Sequence, residues 1–377
     1  MHKQVLGVGA AVVAAITLAA CSSGGNTASG GGAGDPIKID VIAPFSGPEG
    51  YLGPPTMNGL ALALKDVGGK IDNHKVEFIK EDDQCTPSNA VQIVRQIASD
   101  PSVSAVFGPI CSGSMAATQK MMAQDKIVHV TNGYGAELTS VGDKYIFVGV
   151  ANNGQQITAL KPFVTAQHAT KAAIIQGNDG YSQQLATSEK SLLTSLGIKL
   201  VYDGTFDDTA TDYSGQISGF ERSGAQLVMV AAYEANTGAL VKQMRQEGIT
   251  VPIASPNGCD PAVTSVTGSD GNDVGFALNF CPTLPAFQQF TKAYEAAYKT
   301  VPDDAVAGAY TAGEALLRGL IASKGKGGEA LRQAMLSLDY NSKLGELSYA
   351  PNGSLKAPEI ITGELVKGQA KFSTQAN

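Results

Sequence analysis

The residues best placed to do chemistry are Val106-Phe-Gly-Pro-Ile-Cys-Ser-Gly-Ser114. An apolar run, Val103 to Phe107, stops at a Gly-Pro turn, and a hydroxyl-bearing loop leads into Met115 to Gln124, which has helical character. A strand feeding a helix through such a loop sets Ser112, Gly113, Ser114 and the free N–H groups of the helix at the carboxyl edge of a sheet. That arrangement suits a carboxylate or another anion. The same serines would serve equally as an N-cap with no ligand at all.

Catalytic constellations are absent from the pattern. The four histidines (His2, His74, His129, His168) are scattered, and His129 falls inside a strand, where packing is its expected role. There is no G-x-S-x-G elbow, no H-E-x-x-H and no P-loop. The compact glycines Gly30 to Gly34 follow no strand, and Glu81-Asp82-Asp83 fits a solvated turn beside Cys85 as well as acid–base work. No enzyme and no cofactor is expected. No Cys-x-x-Cys pair or histidine stands at ligand spacing, so no metal site is expected either.

The chain opens with a short basic segment (His2, Lys3), an apolar run from Val5 to Thr17, and Leu18-Ala19-Ala20-Cys21. This reads as a secretory signal over residues 1–20. Its end resembles the bacterial lipobox, which implies diacylation of Cys21, cleavage before it, and stable anchoring to a membrane. Residues 22–34 hold six glycines and no large apolar side chain. With Cys21 and Asp35 they form a flexible tether (21–35) of roughly 20 Å reach. Lipidating Cys21 leaves Cys85, Cys111, Cys259 and Cys281, an even set that invites disulfides outside the cytoplasm, with three connectivities open. The sequential pairing would close loops of about 25 residues, each contributing roughly 3 kcal/mol. The formal charge of −7 becomes −8 when Lys3 leaves with the signal. An acidic balance argues against nucleic acid as a partner.

About 340 residues remain, too many for one compact core and suited to two lobes. Strand and helix alternate from Ile37 to Ile42 through Val76 to Lys80, Val103 to Phe107 and Ile127 to Thr131, the signature of an α/β chain with parallel sheets covered on both faces. After Lys144 the alternation restarts, with strands at Tyr145 to Val150, Ala172 to Gln176, Lys199 to Tyr202, Leu227 to Ala231 and Val251 to Ala254. From about Pro285 three helical stretches follow, and Gly345 to Tyr349 with Pro358 to Leu365 read as a closing hairpin. The expected organisation is two Rossmann-like lobes, 36–150 with 282–342 and 151–281 with 343–377, joined by a three-strand hinge that allows a cleft to close. Ligands of such sheets sit beyond the carboxyl ends of the strands. The segments there are Ala43 to Tyr51, Ile110 to Ser114, Thr131 to Gly135, Gly177 to Tyr181, Ala231 to Glu234 and Ser255 to Asp260, an inventory suited to a small polar molecule.

Lys80-Glu-Asp-Asp-Gln-Cys-Thr-Pro-Ser-Asn-Ala-Val91, Phe107-Gly-Pro-Ile-Cys-Ser-Gly-Ser114 and Thr131-Asn-Gly-Tyr-Gly-Ala-Glu-Leu-Thr139 resemble the leucine/isoleucine/valine-binding proteins. These are type I periplasmic substrate-binding proteins of ABC importers. The likeness runs from about Ile37 to Phe372. It implies a disulfide between Cys85 and Cys111, a carboxylate grip at Ser112, a second ligand loop at Gly133, Tyr134 and Gly135, and second-lobe aromatic contacts at Tyr181 and Tyr233. It also implies membrane permease subunits as partners.

Two positions depart from the family. Its amino-acid binders place a Glu after a Pro in the second lobe to hold the ligand's ammonium, whereas Ser255-Pro-Asn-Gly carries Asn257 there. A neutral amide does not pair a desolvated ammonium as a carboxylate does, so Asp260 or Asp179 would have to substitute, or the ligand would lack an ammonium. The 131–139 loop is one residue shorter, and Tyr134 stands where a threonine is usual, which favours a flat or aromatic ligand. The pair Cys259 and Cys281 is additional and would brace the loop after Asn257. The expectation is an extracytoplasmic, lipid-anchored solute-binding protein for an amino acid, with Tyr51 at the cleft. The alternatives are an aromatic or aliphatic carboxylate, an amide or urea, or a sensor of the same fold.

Overall fold

The computed structural model describes residues 34–373. The expected signal, the lipidation site Cys21 and nearly all of the tether lie outside the described residues. Two sheets organise the chain. The first holds β1 (Ile37–Ala43), β2 (Lys70–Ile71), β3 (His74–Asp82), β4 (Val103–Phe107), β5 (His129–Thr131) and β6 (Ile146–Val148) in the order β2-β3-β1-β4-β5-β6. Only β2 runs antiparallel to its neighbour. The second takes β7 (Lys171–Gly177), β8 (Lys199–Phe206), β9 (Leu227–Ala231), β10 (Ile253–Ala254) and β11 (Val274–Leu278) in parallel. A hairpin near the end of the chain, β14 (Ile361–Val366) with β15 (Gln369–Phe372), joins antiparallel at β11. Strands such as β7 and β9 are nearly continuous apolar runs, buried along their length because helices cover both faces.

Three expectations change. Tyr145 to Val150 does not open a second set of units: β6 pairs with β5 and completes the first sheet. The fifth parallel strand of the second sheet is β11, which sequence reading passes over. Its five residues are all buried, so no alternation marks it, and Gly275 lowers its strand propensity. The hairpin is also paired differently. The strand Gly345–Ser348 (β13) pairs with Asp339–Ser342 (β12), not with β14.

The chain crosses between the sheets three times: after β6, after β11, and ahead of β14. The first two crossings are tied together by the Ala151 N–H, which donates to Asn279 Oδ1 at 2.8 Å. The stretch 343–355, expected with the second lobe, packs against the first. Lys343 pairs with Asp66 at 2.6 Å, Tyr349 meets Phe147 edge to face, and the Val148 N–H donates to Gly353 O at 2.8 Å. The third crossing therefore comes after Leu355.

The helix Asp304–Ala322 returns to the first lobe and is buried along most of its length. It lies tightly against the helix Gly53–Asp66, and a Cβ at Gly59 would stand 2.5 Å from Val306 O. Cys85 with Cys111 and Cys259 with Cys281 are paired as disulfides, at Cα separations of 5.4 and 6.0 Å, inside the bridging range.

The turn that ends β4 holds the candidate anion loop in place. Gly108 has φ +98°, the peptide to Pro109 is cis, and a Cβ at Gly108 would stand 2.2 Å from Ile42 O. Only glycine fits. Gly108→Ala should lower the unfolding free energy by about 2–4 kcal/mol, read from urea titrations by circular dichroism. A loss below about 0.5 kcal/mol would contradict this account.

Candidate functional site

The carboxyl ends of both sheets face a small cleft. Leu52, Ile110, Ser112, Asn132, Tyr134 and Ala305 line it from the first lobe, and Tyr181, Tyr233 and Glu234 from the second. The lining suits one small ligand.

One wall is the start of the helix Ser112–Gln124. Its N-cap is Cys111, it has no side-chain cap, and its first turn carries no acid. The Met115 N–H closes the first helical hydrogen bond, to Cys111 O, so the N–H groups of Ser112, Gly113 and Ser114 precede the ladder. Ser112 is thus the first helical residue and not the cap considered from sequence. The facing wall is aromatic. Tyr181 stacks on Tyr233 with ring centroids 4.7 Å apart, and Tyr134 meets Tyr181 edge-on at 6.2 Å. Burial pushes all three phenols well above their usual range, so they act as neutral rings with hydroxyl donors.

The lobes touch around the cleft. The Tyr134 hydroxyl donates to Asp304 Oδ2, while the Asp304 N–H donates to Asp260 Oδ2 of the second lobe at 3.1 Å. The Tyr51 hydroxyl reaches Glu234 Oε2 at 3.4 Å. Gly113 and Gly180 meet so closely that a Cβ on Gly180 would lie 3.0 Å from Gly113 Cα.

Residues 36–362 match the family described as periplasmic binding protein. The chain belongs to the periplasmic binding protein family. A leucine-, isoleucine-, valine-, threonine- and alanine-binding protein of Pseudomonas aeruginosa is 26% identical over 335 residues, covering 86% of this chain and 88% of that protein. Among solved structures, a solute-binding protein of R. palustris in complex with benzoate aligns with TM-score 0.81 at 21% identity, covering 89% of this chain and 95% of that one. A branched-chain amino acid transporter substrate-binding protein of Streptococcus pneumoniae in complex with isoleucine aligns with TM-score 0.78 at 22% identity, covering 89% and 98%. The last two are likenesses of fold.

In this periplasmic binding protein, the residues singled out from sequence divide into four groups. Ser112, Tyr134, Tyr181 and Tyr233 line the cleft. Gly133 and Gly135 flank Tyr134 and permit close approach, since a Cβ on Gly135 would lie 2.5 Å from Gln184 Oε1. Tyr51 stands 40% exposed, with its hydroxyl on Glu234. Asn257 and Asp260 lie outside the lining. Asn257 Nδ2 donates to Ala232 O at 3.0 Å and to the Tyr181 hydroxyl at 3.4 Å, bracing that ring from beneath. Asp260 caps the helix Pro261–Thr267 through the Ala262 N–H at 2.8 Å, and Asp179 caps the helix Gly180–Ser195 through the Ser182 N–H at 2.9 Å. Sequence reading assigned no role to Leu52, Ile110, Asn132, Glu234 or Ala305. Four of them lie in or beside the loops it named; Ala305 carries no local signal.

Carboxyls gather here without cations. Burial, with Asp260 and Asp303 nearby, holds Asp304 at about 7 against the lowering effect of Tyr134. Burial, with Asp208 facing it, raises Glu49 to about 7; outside the cleft lining, burial and then Glu81 and Asp100 raise Asp40 of β1 to about 6 against the lowering effect of Lys38. Such groups keep protons that the unfolded chain has released, so their contribution is favourable at low pH and lost as pH rises through the folded value. Carboxyls with lowered values, such as Asp66 and Asp82, titrate below this window. The ligand-free protein should melt about 2–5 °C higher near pH 5.5 than near pH 8, followed by circular dichroism. A melting temperature that climbs with pH across that interval would refute the assignment.

Proposed function

We propose that this chain is an extracytoplasmic solute-binding protein, held to the membrane through lipidated Cys21, that captures an amino acid between its lobes and presents it to the permease of an ABC importer. The observation that carries this reading is the one open helix start on the cleft. The helix Gly53–Asp66 replaces two of its free N–H groups with Pro54 and Pro55. The helices Gly180–Ser195 and Pro261–Thr267 are closed by Asp179 and Asp260, Asp304–Ala322 by Asp303, and Glu234–Gln246 carries Glu234 in its first turn. The helix Ser112–Gln124 alone in this set has no side-chain cap and no acid or proline of its own in its first turn. A ligand carboxylate there would gain both hydrogen bonds and the favourable end of the helix dipole.

Ser112 presents its hydroxyl and N–H to that carboxylate, and Tyr134, Tyr181 and Tyr233 close over the ligand body. Binding stabilises the folded protein by mass action. A thermal-shift screen of amino acids, aromatic acids, amides and urea tests the reading, and no stabilisation by any of them would count against it. The chain has no Trp, so affinities are best taken by calorimetry. Ser112→Ala should weaken a carboxylate ligand by about tenfold or more; unchanged affinity would remove Ser112 from the site.

A further inference from the structure

We propose that the cleft selects a small zwitterion bearing a protonated amine, and that Glu234 receives the ammonium. This rests on the reading of the cleft as the ligand site, and it locates the positive end of the ligand at Glu234 and not at the slot occupied by Asn257.

Three observations carry it. First, Glu234 is the single charged residue among those lining the cleft, and no Lys, Arg or His lines it among the described residues. Its Oε2 accepts the Tyr51 hydroxyl from across the lobes at 3.4 Å. A half-buried carboxylate without a cation beside it is costly, and a ligand cation reduces that cost.

Second, two fully buried acceptors at or beside the cleft are unmatched. Asn132, 4% exposed, lines the cleft, and its Oδ1 has no hydrogen-bond partner. Asp304, also 4% exposed, precedes the lining residue Ala305, and its Oδ1 likewise lacks a partner. Unsatisfied buried acceptors call for a donor. A protonated primary amine supplies up to three N–H bonds, whereas a benzoate-like acid supplies none and a quaternary amine supplies only charge. Among the described residues no group of His, Cys, Asp and Glu is arranged to hold a metal ion, which leaves the ligand itself as the source of the cation.

Third, the Asn257 slot is engaged. Its amide N–H groups are directed to Ala232 O and the Tyr181 hydroxyl, so this side chain works as a brace under the aromatic wall. Ser112 on one side and Glu234 on the other then give the cleft two poles, with the tyrosine faces between them adding cation–π attraction.

The test is calorimetry on the intact mature protein and on Glu234→Gln. The probes are the common protein amino acids, the desamino acids isocaproate and hydrocinnamate, benzoate, and glycine betaine. In the wild type at least one amino acid should bind about tenfold or more tighter than every desamino acid and than betaine. Glu234→Gln should weaken that amino acid by about tenfold or more and bring it level with its desamino counterpart, a selectivity change that loss of a helix-end charge alone would not produce. Benzoate or a desamino acid binding as tightly as any amino acid would overturn the inference and leave solute capture standing. So would an amino acid whose affinity Glu234→Gln leaves within about twofold. Binding of no probe at all would overturn both. If the variant fails to fold, the wild-type comparison of amino acid with desamino acid decides alone.

Discussion

The cleft depends on Asp304. This residue opens the helix Asp304–Ala322, whose packing against Gly53–Asp66 fixes it to the first lobe. Its carboxylate takes the Tyr134 hydroxyl, and its N–H goes to Asp260 of the second lobe. One residue therefore sets the position of an aromatic wall and a contact between lobes. Because Tyr181 leans on Tyr134 and Tyr233 on Tyr181, that placement propagates along the whole aromatic face. Carboxyls brought this close in a buried space resist ionisation together, so each one that does ionise places a negative charge that no Lys, Arg or His among the cleft-lining residues offsets.

Much of the frame was legible from sequence because its physics is local. Parallel strands buried on two faces tend to be apolar runs, and β4, β7 and β9 stand out as such, while β1 is marked by partial alternation around Lys38 and Asp40. Breaker-rich loops after them marked the strand ends, and the cleft does form there. Cys85 and Cys111 sit as the family resemblance implies. What could not be read was set by partners distant in the chain. β11 is short and carries a glycine, so only its neighbours β10 and β14 make it a strand. β13 finds β12 and not β14, because Phe147 and Asp66 hold the segment around it on the first lobe. Ala305 enters the cleft from a helix whose first residue lies 170 positions from Tyr134.

Glu234 and Asn257 show a different limit. Ala231-Ala-Tyr-Glu234 was visible as a polar strand end, yet the family pattern directs attention to the slot 24 residues beyond Tyr233, now Asn257. Asn257 looked like a ligand residue missing its charge. In the structure its amide is spent on Ala232 and Tyr181, and the carboxylate stands one residue after Tyr233. A pattern records which position carries a role, while the role itself belongs to whichever side chain reaches the space.

Glu234 sits under two opposing influences. As the first residue of the helix Glu234–Gln246 it faces the equivalent of about half a positive charge from the helix dipole, which favours its ionised form. Burial, and then Asp304 and Asp303, push its carboxyl up. Across the cleft the helix Ser112–Gln124 offers a similar partial positive charge with no acid of its own. A field between these poles acts through a partly buried space, where screening is weaker than in bulk water. A lone carboxylate entering it would satisfy the Ser112 wall while adding to the negative charge at Glu234. A lone amine would do the reverse and leave the helix start open. A molecule carrying both charges meets each pole with its opposite and adds no net charge to an already acidic enclosure. On the proposed reading, the side chains that disfavour a lone charge at either pole are the ones that favour a ligand carrying both.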